Sequence, residues 1–116
     1  METYKIVFLI SDNNKWDHLF GHLANLLKQP QKIDQIGVVI TDTAILSCLK
    51  GTILQEFRDR LSQFMQADVQ FWLCGNTVHK YNIDKTNILS DLVIVPEGGI
   101  FKVLECETAG YRLIQE

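Results

Sequence analysis

Cys74 closes a strand-like apolar run, Val69-Gln70-Phe71-Trp72-Leu73, and Gly75-Asn76-Thr77 follow at once. A thiol at a strand end, before a glycine turn and a helix start, stands where α/β proteins gather their reactive groups. The thiolate is the nucleophile, and a free thiol with a pKa of ~8.5 is mostly protonated at neutral pH. A helix start beside it stabilises the anion through unpaired N–H groups and the helix dipole. Gly75 allows a sharp turn, and Asn76 or Thr77 can cap the helix or offer a hydrogen bond to sulfur. His79 and Lys80 follow within two turns and add positive charge if they point back. Opposing them, Asp12, Asp42 and Glu97 are expected on the same rim, and carboxylates near a thiol raise its pKa. The other reading of Cys74 is a buried thiol acting as a small apolar filler.

Other chemistry-bearing residues point less clearly to a site. Cys48 lies in the apolar stretch Ile45-Leu46-Ser47-Cys48-Leu49, which suits a core. Cys106 sits between Glu105 and Glu107 on a predicted helix, where two acids hold a thiol protonated. His18 and His22 are four apart, a spacing that can put two imidazoles on one helix face, but no third ligand is near and HExxH is missing. No metal site and no cofactor is expected. Gly98-Gly99 follows a strand as in phosphate-binding loops, yet neither GxGxxG nor a Walker pattern is present.

These residues need elements to hold them. Ile6-Val7-Phe8-Leu9-Ile10, Ile36-Gly37-Val38-Val39-Ile40, Val69 to Leu73 and Asp91 to Val95 read as strands. Continuous apolar runs of this length suit parallel strands covered on both faces. Tyr111-Arg112-Leu113-Ile114 makes a short final strand. Between them, Trp16, Leu19, Phe20, Leu23, Leu26 and Leu27 recur at helical spacing, with Asn13 or Asn14 as cap and Pro30 as stop. A short helical segment is expected over 44–49. Ile53, Leu54, Phe57, Leu61, Phe64 and Met65 form one face of a second amphipathic helix. A short helix over 77–83 and a last one from Ile100 to near Gly110 complete the order β-α-β-α-β-α-β-α-β.

Such alternation predicts a three-layer α/β/α fold with a mostly parallel five-stranded sheet, flavodoxin-like in appearance, in a single domain over 1–116. In a parallel sheet all strand C-terminal ends lie along one edge. Ser11-Asp12, Thr41-Asp42, Cys74-Gly75-Asn76 and Glu97-Gly98-Gly99 therefore share one rim, the place where open α/β sheets bind ligands.

Composition narrows the partners. Apolar residues make up 47% and charged residues 22% of 116, with a net charge of −3. Phosphate binding needs clustered bases, and only Arg58 and Arg60 cluster, so nucleic acid is not expected as the main partner. No apolar run approaches the ~18–20 residues of a membrane span, so no membrane association is expected. Met1-Glu2-Thr3-Tyr4-Lys5 leads straight into a strand pattern without the zones of a signal peptide. Three cysteines with no CxxC pair favour free thiols and a reducing cytoplasm. Trp16, Trp72, Phe101 and Tyr111 are more large aromatics than so small a core readily hides, which predicts subunit contacts.

The chain resembles the DsrE/DsrF-like family of small sulfur-relay proteins. The resemblance lies in Lys5-Ile6-Val7-Phe8, Leu23-Ala24-Asn25-Leu26-Leu27, and Val69 through Thr77 with its Cys-x-Asn-Thr stretch. Val95-Pro96-Glu97-Gly98-Gly99 and Ala109-Gly110-Tyr111-Arg112-Leu113-Ile114 also fit. It implies an α/β domain that assembles into homotrimers or homohexamers. It also implies a cysteine that carries sulfur as a persulfide between donor and acceptor proteins. Cys74 stands at the position of that cysteine, with Asn76 and Thr77 beside it. Asp12, Asp42, Glu97 and Gly98 are the further pocket candidates from the rim. Many relatives have a His-Gly pair where this chain has Asp42-Thr43, which removes any proton transfer by that His and makes the pocket more acidic.

Two functions follow from different classes. One is a sulfur carrier or sulfurtransferase-relay component acting through Cys74 by thiol exchange chemistry. The alternative is a non-catalytic oligomeric module of the same fold that binds a small ligand or partner, with Cys74 merely packed. A nucleotide-binding flavodoxin-like protein is a distant third, because the phosphate motif is missing and fold does not fix function.

Overall fold

Side chains of successive strand residues point to opposite faces of a sheet, so each apolar strand here feeds two cores. The computed structural model describes residues 2–116; Met1, at the head of the opening segment, lies outside them. The chain runs β1 (Tyr4–Ile10), α1 (Trp16–Leu27), β2 (Ile33–Ile40), α2 (Gln55–Gln66), β3 (Val69–Cys74), α3 (Gly75–Lys80), β4 (Val93–Val95), α4 (Gly99–Thr108) and β5 (Arg112–Gln115). All four strand pairings are parallel, in the order β4-β3-β2-β1-β5. The predicted three-layer α/β/α architecture with five strands is therefore the observed one.

One face carries the larger core. Phe8, Ile10, Val38, Ile40, Phe71 and Leu73 meet Leu19, Phe20 and Leu23 of α1, Leu61 of α2 and Val78 of α3 there. The other face has a smaller core, where Val7, Val39 and Trp72 pack with Val103 and Cys106 of α4. Topology explains the split. Steps from β1 through β4 all move one way across the sheet, and the return to β5 moves the other. Crossovers of constant right hand then place α4 on the face opposite α1, α2 and α3. Neighbouring strands β3 and β4, paired at Cys74 and Val95, thus send their helices to opposite faces. A crevice opens at such a switch point, and Cys74 stands in it.

Several boundaries differ from the sequence expectation. The third helix occupies Gly75–Lys80 rather than 77–83, because Cys74 itself is its cap residue. Residues Asp42–Cys48 form a 3₁₀ helix that buries Ala44, Ile45 and Cys48. Leu54 leaves the amphipathic face assigned to it: it precedes α2 and is 73% exposed. Asp12, not Asn13 or Asn14, is the cap, accepting the Asn14 N–H at 2.8 Å ahead of a 3₁₀ turn, Asn13–Lys15. α1 ends at Leu27, and Pro30 opens a further 3₁₀ turn, where its missing N–H costs nothing. Only Val93–Val95 of the predicted fourth strand pairs, leaving Asp91 and Leu92 outside it.

The aromatic residues divide between core and surface. Trp16 is buried edge-on against Phe57 at 5.0 Å, and its Nε1 donates to the Ala44 carbonyl at 3.0 Å. Trp72 covers Gly37 of β2, where a Cβ would fall 2.1 Å from the ring. Tyr111 is half-buried, whereas Phe101 is 64% exposed on α4. No helix among the described residues is long and apolar enough to cross a membrane.

Candidate functional site

Cys74 shares its strand face with Trp72, two residues earlier, so its side chain points to the α4 side of the sheet. There the first residue of α4 meets it: the Gly99 N–H donates to Cys74 Sγ at 3.2 Å. This approach needs glycine. A Cβ at Gly99 would lie 2.8 Å from Thr41 Cγ2, 2.9 Å from Val39 Cγ1 and 3.4 Å from Cys74 Cβ. α3 begins directly after Cys74, and the Thr77 hydroxyl and the Thr77 and Asn76 N–H groups of its first turn lower the pKa of the Cys74 thiol. Burial pushes the Cys74 thiol up, and these four donors together outweigh it, so the thiol lies below its ordinary range. Cys74 is 7% exposed, so it is sheltered yet reaches solvent.

The sulfur opens into a cavity of about 280 Å³ lined by Leu9, Ser11, Thr41, Asp42, Asn76, Thr77, Lys80, Gly99 and Ile100. Of the pocket residues expected from sequence, Asn76, Thr77 and Asp42 are brought together around Cys74. Asp12 is not: its carboxylate is turned to the Asn14 N–H. Glu97 is exposed and outside the cavity lining. Gly98 is buried behind Asn76 rather than facing the cavity. The expected contest between a helix start and a ring of carboxylates is thus a different contest. Burial is what opposes the thiolate, and none of the three carboxylates is among the causes of its shift.

Lys80 lines the cavity, while His79 lines a separate one beside Ile94 and Pro96. Helical spacing separates the two, since adjacent residues on a helix diverge by about 100°. The sequence placed Gly99 on the rim but carried no sign of its N–H as a donor to sulfur. That contact depends on β4 lying beside β3, which no local pattern encodes. Ile100 and Leu9 escaped notice for the same reason.

The other thiols have different surroundings. Burial pushes the Cys48 thiol up to about 12, and it lies against the Ala44 carbonyl in the core. Cys106 is also raised, by burial first, with Lys102 lowering and Glu105 raising it. His22 pairs with the Glu116 carboxylate at the sheet edge, and His18 is exposed on α1. No group of three or more His, Cys, Asp or Glu among the described residues is placed to hold a metal ion.

A sheltered thiol at the switch point of a parallel sheet, bonded by the first N–H of α4, defines a small α/β thiol protein. The DsrE/DsrF-like family profile matches residues 5–115, and the chain belongs to that family. Its fold is shared by a protein of unknown function from Methanobacterium thermoautotrophicum, with a TM-score of 0.84, 22% identity, and 97% and 99% of the two chains covered. A conserved protein of unknown function from Bacteroides thetaiotaomicron superposes with a TM-score of 0.74 at 12% identity, over 97% of this chain and 94% of that one. The ychN protein from E. coli superposes with a TM-score of 0.70 at 16% identity over the whole of both chains. A search of curated proteins finds no match.

Proposed function

We propose that this protein carries sulfane sulfur as a persulfide on Cys74, between a donor and an acceptor protein. The observation that carries the reading is the Gly99 N–H bonded to Cys74 Sγ at 3.2 Å, at the edge of a cavity. Donors fixed on sulfur favour the thiolate, which is the attacking form. The thiolate attacks the outer sulfur of a donor persulfide. A new S–S bond forms at Cys74, the donor's S–S bond breaks, and the donor leaves as a thiolate. Delivery is the same step reversed in direction: an acceptor thiolate takes the outer sulfur and Cys74 leaves as thiolate. No outside oxidant or reductant is needed, and the leaving step gains from the same donors.

The cavity is polar on its α3 side and is wide enough for a small group on sulfur. Protein donors and acceptors suit an exposed row of apolar residues on α4, Ile100, Phe101 and Leu104, which begins at the cavity. The same row supports assembly with copies of itself as a homotrimer or homohexamer, because exposed apolar patches mark contact surfaces. It also favours the second reading, an oligomeric binding module in which Cys74 only packs. Incubation with a small persulfide followed by peptide mass spectrometry decides between them. The carrier gains one sulfur on Cys74 and loses it to an added thiol acceptor. No adduct on Cys74, or equal labelling of Cys74→Ser, refutes it, and a Cys74 unreactive until denaturation favours the module.

A further inference from the structure

Asp42 breaks a backbone rule in a place that serves the sulfur. Its φ is +50°, in the left-handed region that L residues other than Asn and Asp seldom enter. Thr41, just before it, is still in sheet register, its N–H donating to the Ile10 carbonyl at 2.9 Å. The chain turns at Asp42, and the turn aims the Asp42 N–H at Thr77 Oγ1, 3.0 Å away on α3. The Asp42 side chain is tied back as well: its Oδ2 accepts from Thr41 Oγ1 at 3.3 Å, and that hydroxyl is shared with Ser11 Oγ at 2.9 Å. A threonine hydroxyl has one proton and two lone pairs. With the Asp42 N–H occupying a lone pair, the Thr77 proton is free to point elsewhere, and Cys74, three residues earlier, lines the same cavity and has its thiol pKa lowered by the Thr77 side chain.

We propose that Asp42 is a positioning residue that acts through its backbone: its N–H locks the Thr77 hydroxyl as a donor to Cys74. The carboxylate is then a tether for the turn rather than a charge acting on sulfur. The charged groups facing the cavity are Asp42 from the segment after β2 and Lys80 from α3; β1 offers Ser11, and α4 offers no charged side chain. The idea rests on Cys74 being the working thiol, but its test needs no sulfur donor, so a failure of sulfur transfer leaves it standing.

The experiment is the pH profile of Cys74 alkylation by iodoacetamide, resolved by peptide mass spectrometry in the full chain. Thr77→Val should raise the midpoint by about one pH unit, the loss expected for one hydrogen bond to a charged group. Thr77→Ser should stay within about 0.3 of a unit of the parent, since its hydroxyl is retained. Asp42→Asn and Asp42→Gly should also keep the parent midpoint, because both tolerate positive φ and keep the N–H. Asp42→Val, β-branched and strained at that φ, should rise as Thr77→Val does. Hydrogen exchange at the Asp42 amide supplies a reading that does not depend on the valine variant folding. It should be slow in the parent and Thr77→Ser, and fast in Thr77→Val. A midpoint lowered by about a unit in Asp42→Asn means that the carboxylate acts by charge, and overturns the proposal. An unchanged midpoint in Thr77→Val, or unchanged exchange at Asp42, overturns it too.

Discussion

Gly99→Ala sets two effects of opposite sign against each other. Alanine in a helix gains roughly 0.5–1 kcal/mol over glycine, so propensity alone predicts a more stable protein. The added Cβ, however, would stand 2.8 Å from Thr41 Cγ2 and 2.9 Å from Val39 Cγ1. Both partners are on or beside β2 in the middle of the sheet and are buried, so neither can step aside. Overpacking of this kind costs about 1–3 kcal/mol, which outweighs the propensity gain. The expected net is a loss of about 1–2 kcal/mol, or a Tm lower by roughly 4–10 °C for a chain of this size. The way out is for the start of α4 to retreat from β2, and that lengthens the 3.2 Å bond from Gly99 N–H to Cys74 Sγ. A hydrogen bond to a charged group is worth about 1.5–3 kcal/mol, so the Cys74 alkylation midpoint should rise by about one to two pH units. Thermal melting and the pH profile of labelling measure the two arms separately. An alanine variant as stable as the parent, with an unmoved midpoint, refutes the close approach as the reason for this glycine.

Three further outcomes are expected. Burial holds Cys48 neutral in the fold with a pKa of about 12, well above that of a free thiol, so its stabilisation is complete below the free thiol's pKa and is lost as pH rises towards 12. That amounts to about 4 kcal/mol across the window, and Cys48→Ala should flatten the alkaline limb of the stability curve measured by urea unfolding; an unchanged limb counts against it. Gly37→Ala would put a Cβ 2.1 Å from the Trp72 ring, which must swing away from β2. A loss of about 3 kcal/mol with a changed near-ultraviolet signal from Trp72 is expected, and a parent-like spectrum would contradict the packing. Phe101→Asp, on the exposed row of α4, should leave the fold intact and, on the proposed assembly through that row, give a lower mass by light scattering than the parent; an unchanged mass removes the row from that proposal.

Much of the fold could be read along the chain because its signals are local. The apolar runs at Ile6–Ile10 and Ile36–Ile40 and the helical spacing of Trp16, Leu19, Phe20 and Leu23 record burial on one or two faces, which a short window shows. Boundaries were less legible at α3, where the cap is Cys74 itself rather than a polar residue that would announce a helix start. The candidate site divides in the same way. Cys74, Asn76 and Thr77 are contiguous, so their company was visible from the start. Asp12 and Glu97 share the rim but turn outward, and rim position alone does not aim a side chain.

By itself the sequence determined that a thiol ends the third strand, that a glycine turn and a short helix follow it, and that the strands run parallel. The first two depend on neighbours within one turn or one strand, and the third on the alternation of strand and helix along the chain. What surrounds the sulfur was decided only by tertiary structure. The return of the chain to β5 sends α4 to the opposite face and brings Gly99 from 25 residues away onto Cys74. The left-handed turn at Asp42 brings an amide across to Thr77 in the same way. Whether a thiol is a nucleophile or a filler depends on the donors that converge on it, and convergence is a property of strand order rather than of any stretch of chain.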